Sequence, residues 1–225
     1  MTLRRKNKVK NPLEEYTSFV KRRRYNPPYI GKHYNKYRIL IIGQNRLGDK
    51  NHLGEELRYH NHSGFNKEYL KKYYASIEKK NDFSSNVLKK PLEIISEILN
   101  IDSKEAIEYV AFTNVIKTPT PEGTPEPELG GLYRAEAKYR NKILVEYELS
   151  LLNPKIVMII GQFSANMLFE SINEIKENKK LNYLLYYKKT PLIVFYHVSR
   201  GWWTRKVNRI TKKKKYLKRL ITCKA

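Results

Sequence analysis

The stretch RILIIGQN, residues 38–45, decides how the chain is expected to fold. Its isoleucines and leucine follow one another without polar alternation and end at a glycine, which is typical of a strand buried on both faces. Three later runs have the same character: YVAFTNV (109–115), KIVMIIG (155–161) and PLIVFYH (191–197). The four runs together predict a mostly parallel sheet, because the segments between them are too long for hairpins.

Helical patterns occupy the gaps between these runs. Amphipathic segments cover residues 65–80, 87–100 and 131–152, and Ser164 is expected to cap a helix that reaches about Asn178. The proline-rich segment 118–131 predicts a loop. Strands that alternate with helices predict an α/β fold with three layers, α/β/α, around a central four-stranded, mostly parallel sheet.

Positive charge is concentrated at the two ends of the 225-residue chain. The 45 Lys and Arg exceed the 22 Asp and Glu by 23, and residues 1–38, 39–197 and 198–225 contribute +10, +2 and +11 of this excess. Such ends favour a polyanionic partner, DNA in double- or single-stranded form, with residues 1–10 and Lys212–Lys215 contacting phosphates. The alternative is a lysine-rich composition that merely forms solvated surfaces.

Several classes of protein are excluded by what the sequence lacks. The single cysteine, Cys223, excludes a disulfide framework and any cysteine-ligated zinc or iron–sulfur site. No apolar run approaches the roughly 20 residues of a membrane helix, and the basic first residues are not followed by the apolar part of a signal peptide. His60 and His62 have no third ligand nearby in the sequence, so we expect no metal site, and we expect no cofactor either. We also expect a cytoplasmic monomer without membrane contact.

Polar residues follow the end of each predicted strand. These residues are Gln44 and Asn45, Thr113 and Asn114, Gln162, and His197 and Ser199. Because the carboxyl ends of parallel strands meet at one edge, these amides and the imidazole are expected to converge there. Amides can read the edge of a base, and an imidazole can stabilise an anionic oxygen, so the set suits a pocket for a flipped nucleotide. The alternative is that each is an ordinary hydrogen-bonded residue at a strand end.

Three ordered motifs resemble those of the uracil-DNA glycosylase superfamily, across roughly residues 37–203. They are IIGQN (41–45), FTNVIK (112–117) with the later LNPKIVMIIGQFSA (152–165), and YHVSRG (196–201). The resemblance implies a glycosylase-like α/β domain over residues 37–203. A basic extension or helix, 1–36, precedes this domain, and a basic helix, 204–225, is packed on it.

The resemblance also implies roles for individual residues. Asn45 would orient the attacking water, and His197 would stabilise negative charge on O2 of the departing base. Gln44 and Asn114 would bind the base, with Tyr59 or Phe65 stacking on it. The residues implied to contact DNA are Arg46, Lys117, Ser199, Arg200, Trp202, Trp203 and Arg205, among which Arg200 and the two tryptophans would fill the space left by the extruded base.

The activity implied is that of a monofunctional DNA glycosylase, because no lysine is placed to form a Schiff base. Arg46 and Val198 stand where the family usually has proline, and the long 46–64 loop allows a roomier pocket. We therefore expect either a bulky modified cytosine of bacteriophage DNA, the substrate of an antiviral branch of this superfamily, or uracil. The alternative from another class is a catalytically silent nucleic-acid-binding module with the same fold.

Overall fold

The computed structural model describes residues 28–44, 47–48, 86–115, 120–121, 140–172, 174–178, 181, 183–195 and 207–222. The strands in these ranges are β1 (Tyr29–Ile30), β2 (Ile39–Gly43), β3 (Leu47–Gly48), β4 (Val110–Asn114), β5 (Thr120–Pro121), β6 (Ile156–Ile160), β7 (Ile175–Glu177), β8 (Leu184–Tyr187) and β9 (Thr190–Phe195). The helices are α1 (Tyr34–Tyr37), α2 (Asn86–Leu99), α3 (Arg140–Leu152), α4 (Gln162–Ser171) and α5 (Val207–Thr222), with a short 3-10 helix at Ala106–Tyr109.

Seven of these strands form one mixed sheet in the order β1-β4-β2-β6-β9-β8-β7. The four predicted runs form the central strands β4, β2, β6 and β9, which are parallel to one another. The strands β1, β8 and β7 are added antiparallel at the two edges, and β3 pairs with β5 in a separate ribbon. The α/β class is therefore confirmed, whereas the predicted size of the sheet, four strands, is wrong.

The added edge strands carry weak signals in the sequence. The strands β1 and β7 are only two and three residues long. The strand β8 returns to β9 through a turn at Lys188 and Lys189, and Lys188 has a φ of 55°. Glycine or asparagine usually occupies such a left-handed position in a hairpin, so two lysines do not indicate a turn.

Alternating side chains of the parallel strands build a separate core on each face of the sheet. Leu40 and Ile42 of β2 belong to the cluster that includes α3 and α4. Ile39 and Ile41 belong to the cluster that includes α2 and α5. All four are fully buried, because helices cover both faces of the strand. Burial on both faces is the physical reason for the continuous apolar runs, and the sheet with the helices on its two faces forms three layers in the described part of the chain.

The helix after β6 differs from its prediction. Gly161, with a φ of 95° that suits glycine, precedes the helix, and α4 ends at Ser171. The expectation that Ser164 caps a helix reaching Asn178 is wrong, because Ser164 lies within the first turn and donates its hydroxyl to the carbonyl of Ile160 at 2.9 Å. By contrast, α2 nearly matches the predicted 87–100. Among the described helices, none is long and apolar enough to span a membrane.

Gly31 lies where the chain comes closest to the 3-10 helix, and we expect Gly31→Ala to destabilise the fold. A Cβ at this position would lie 2.4 Å from the carbonyl oxygen of Glu108 and 2.5 Å from that of Ile107. Backbone atoms cannot rotate away as a side chain does, so the free energy of unfolding should fall by about 1–3 kcal/mol. Urea denaturation measures this change, with Lys32→Ala at the neighbouring exposed position as the control. Equal midpoints for the two variants would contradict the prediction.

Candidate functional site

The carboxyl ends of the four central strands lie side by side along one edge of the sheet. Gly43 of β2 pairs with Asn114 of β4, and Ile160 of β6 pairs with Phe195 of β9. Gln44 directly follows β2, and Gln162 follows β6 after Gly161, at the same end of the strands. The described members of the predicted set of polar strand-end residues therefore share one edge, which is where open parallel sheets bind their ligands.

The order of the strands reverses at β2. The chain passes from β2 to β4 on one side and then to β6 on the other side of β2. At such a reversal the connections leave in opposite directions, so a crevice opens outside the carboxyl ends of the strands. The crevice lies between β2 and β6, so Gly43 and Gln44 border it directly, and Asn114 ends β4 on the other side of β2.

The side chain of Asn114 lies across the place where Gly43 has no side chain. A Cβ at residue 43 would lie 2.6 Å from Oδ1 of Asn114 and 3.2 Å from Cζ of Phe112. Any residue larger than glycine at position 43 would therefore push the amide aside. Gly43 is required here for the close approach of a neighbouring side chain.

The amide of Asn114 is buried, with only 2% of the residue exposed. Its side chain has no hydrogen-bond partner within the described part of the chain, although backbone bonds hold its strand in the sheet. A buried polar group without a partner costs about 1–3 kcal/mol, so a ligand, ordered water or another segment of the chain normally supplies the partner. An amide offers one acceptor and two donor hydrogens, which suits recognition of a planar hydrogen-bonding ligand.

The two glutamines at this edge differ in their surroundings. Gln44 is half-buried directly after Gly43. Gln162 is exposed, and its Nε2 donates to Oδ1 of Asn166 one turn later in α4 at 3.0 Å. Gln162 is thus bonded along its own helix, which leaves Gln44 and Asn114 as the described candidates for contact with a ligand.

A buried carboxyl, that of Glu148 in α3, contacts β4 through Thr113. Glu148 of α3 is 1% exposed, and Thr113 donates its hydroxyl to Oε2 of Glu148 at 2.8 Å. Because Thr113 directly precedes Asn114, this bond holds the end of the strand that carries the amide. The residue was not among the predicted site residues, although a glutamate within the apolar stripe of Leu144, Val145 and Leu149 is a signal of this kind.

The sequence also did not indicate that Lys213 of α5 has a structural role. Lys213 is 4% exposed, and its Nζ donates to the carbonyl oxygen of Val194 at 2.6 Å. The ammonium lies 5.3 Å from the ring centre of Tyr183 and 5.9 Å from that of Phe195. The expectation that all of Lys212–Lys215 contacts phosphates is therefore wrong for Lys213, which ties α5 to the end of β9.

Most of the predicted site residues lie outside the described residues. These are Asn45, Arg46, Tyr59, Phe65, Lys117, His197, Ser199, Arg200, Trp202, Trp203 and Arg205. Their roles stay predictions. Within the described ranges, no group of three or more His, Cys, Asp or Glu side chains is placed to hold a metal ion.

No protein-family model matches the sequence, and no curated protein matches it either.

The bond between Thr113 and Glu148 can be tested through stability. We expect Thr113→Val to lower the free energy of unfolding by about 1–3 kcal/mol, because a buried carboxyl loses a hydrogen-bond donor. Thr113→Ser keeps the hydroxyl and is the matched control, with a smaller loss from the missing methyl. Urea denaturation of both variants measures the difference, and a larger loss for the serine variant would rule out the hydroxyl as the stabilising group.

Proposed function

We propose that the protein is a monofunctional DNA glycosylase that binds an extruded pyrimidine and hydrolyses its N-glycosidic bond, leaving an abasic site. The observation that carries the proposal is the buried amide of Asn114, which lacks a described hydrogen-bond partner at the carboxyl edge of the sheet. The net charge of +23 supports DNA as the partner. We further propose a monomeric, cytoplasmic enzyme.

The base is proposed to be a bulky modified cytosine of phage DNA, or uracil. With its NH₂ toward O4 and its oxygen toward N3–H, the Asn114 amide suits uracil. In the reverse orientation it suits N3 and the amino group of cytosine. The modified cytosine is favoured by the long 46–64 segment and by Arg46 in place of the usual proline, and it would assign the protein to antiviral defence.

The chemistry requires stabilisation of a departing anion. Cleavage of the bond between C1′ of the sugar and N1 of the base gives the sugar oxocarbenium character and leaves negative charge on the base. We assign His197 to the O2 of that base and Asn45 to the attacking water. An asparagine has no titratable carboxylate, so Asn45 only orients the water, and slower chemistry than that of an aspartate enzyme follows.

DNA binding and base extrusion are assigned to the residues around these two. Ser199, Arg46, Lys117 and Arg205 are proposed to contact the backbone. Trp202, with Trp203 or Arg200, is proposed to occupy the place of the extruded base, since stacking of an aromatic side chain offsets part of the lost base stacking. Tyr59 or Phe65 is proposed to stack on the base in the pocket.

The direct test is the formation of abasic sites. The full-length protein is incubated with duplex and single-stranded DNA that contains uracil, cytosine, hydroxymethylcytosine or glucosylated hydroxymethylcytosine, and the products are treated with alkali. We expect alkali-labile sites on a modified pyrimidine and none without alkali, because the enzyme is monofunctional. If no substrate yields such sites while the protein still binds DNA, the silent binding module replaces the enzyme.

A further inference from the structure

Helix α5 separates its basic residues onto two sides. Lys213 and Leu217 are buried against the sheet, and Lys214 pairs with Glu97 of α2. The exposed residues lie within about one third of the helix circumference at 3.6 residues per turn. This outer face consists of Thr211, Lys212, Lys215, Lys218, Arg219 and Thr222.

The inner side of α5 is fixed to the body of the protein. The bond from Lys213 to the carbonyl of Val194 and the burial of Leu217 hold it on the sheet. The ion pair between Lys214 and Glu97 holds it on α2. The four cations of the outer face are therefore presented by a rigid helix, which reduces the conformational entropy that a partner must remove on binding.

We infer that the outer face of α5 binds the phosphate backbone of duplex DNA without reading its sequence. Lys212, Lys215 and Lys218 follow one another at about 4.5 Å along the helix axis, and Arg219 lies about 1.5 Å beyond Lys218, so four cations fall within about 10 Å along the axis. One strand of duplex DNA carries one negative charge per roughly 3.4 Å of its axis. The helix contains no acidic residue that would oppose this match.

A membrane surface fits this face less well than DNA does. Helices that lie on a bilayer insert leucine, phenylalanine or tryptophan side chains between the lipids. Among residues 210–222 of α5, whose side chains the structure describes, no exposed residue is apolar, because Leu217 and its apolar neighbours pack against the sheet. A phosphate backbone requires only charge and hydrogen bonding, and the outer face supplies both.

This inference rests on DNA as the partner in the proposed function, but it does not rest on base excision. It is therefore tested by binding to unmodified duplex DNA, on which no excision is expected. A protein that excises no base and still binds through α5 would leave the inference standing. A protein that excises a base without using α5 would overturn the inference alone.

The experiment measures the salt dependence of binding for the full chain and a variant of the outer face. Lys212, Lys215, Lys218 and Arg219 are each replaced by glutamine, which favours helix about as well. The probe is an unmodified 20-base-pair duplex at several salt concentrations. If all four residues contact phosphates, the slope of log K against log salt becomes shallower by about 3.6, at 0.9 per contact. Thermal melting shows that the variant is folded.

Two controls remove the same kind of charge from other places. The first control replaces exposed lysines at the amino ends of the central strands by glutamine: Lys32, Lys36, Lys155 and Lys189. This change should alter the slope by less than one. Lys213→Met removes a buried charge of the same helix and should leave the slope unchanged. Equal changes for the outer face and for the lysines of the first control would overturn the inference. An unchanged DNA slope with lost binding to phosphatidylserine vesicles would replace DNA by a membrane.

Discussion

Gly43→Ala is expected to lower the single-turnover rate of base excision about 10²-fold while the protein stays folded. The new Cβ would lie 2.6 Å from Oδ1 of Asn114. That oxygen is the free end of a side chain, so it moves aside at little cost to stability. A displaced amide no longer meets the edge of the base, and a misplacement of about 1 Å in a site costs roughly 10² in rate. Single-turnover kinetics on the DNA substrate from which the protein excises a base measures the loss of rate, and thermal melting measures the stability of the variant.

The control for this prediction is a double-mutant cycle with Asn114→Ala. That single variant removes the amide without a clash, so it should lose similar activity. The stability of Asn114→Ala should be unchanged or higher, because the variant lacks the buried amide that has no described hydrogen-bond partner. In the double variant the loss should match that of Asn114→Ala alone, since both changes act through one group. Additive losses would refute the role of Gly43 in placing the amide.

The second large effect is expected for His197→Ala and Asn45→Ala, which should each slow single-turnover excision about 10²–10³-fold. Removal of one group that stabilises a developing anion typically costs this much, and loss of the group that orients the water is expected to be comparable. Affinity for DNA should change little, because neither residue is assigned to the backbone. Rates at saturating enzyme separate the chemical step from binding.

Two further variants serve as controls for these residues. His33 is exposed beside the ring of Tyr109, at the amino end of β4 and so at the opposite edge of the sheet, and His33→Ala should leave the rate unchanged. Asn45→Asp supplies a carboxylate that can accept a proton from water and should keep or raise the rate. A near-normal rate for His197→Ala or Asn45→Ala would show that the motif alignment is wrong at that residue.

The central strands were predictable because a strand that is buried on both faces needs an apolar residue at nearly every position. In β6, for example, Ile156–Ile160 is apolar at every position, and each of these residues is buried. The amphipathic pattern of α2 was equally direct. The turn at Lys188 was not predictable, because its left-handed backbone is set by the pairing of β8 with β9 rather than by a turn-forming residue.

The candidate site was predictable only in part. The sequence indicated Gln44 and Asn114 as strand-end residues. It carried no sign that Gly43 makes room for the amide, or that Glu148 holds Thr113 through a bond across 35 positions. Likewise, four consecutive lysines read as one basic run, although Lys213 is buried and Lys214 is paired.

The sequence by itself determined the class of the fold, the position of its central strands and the concentration of positive charge at both ends. These properties depend on which residues follow one another along one segment. Only the tertiary structure decided the order of the strands, the reversal at β2, the seating of Asn114 over Gly43 and the division of charge around α5. Each of these depends on contacts between segments far apart in the chain, and local propensity and periodicity carry no information about which distant partner a segment will meet.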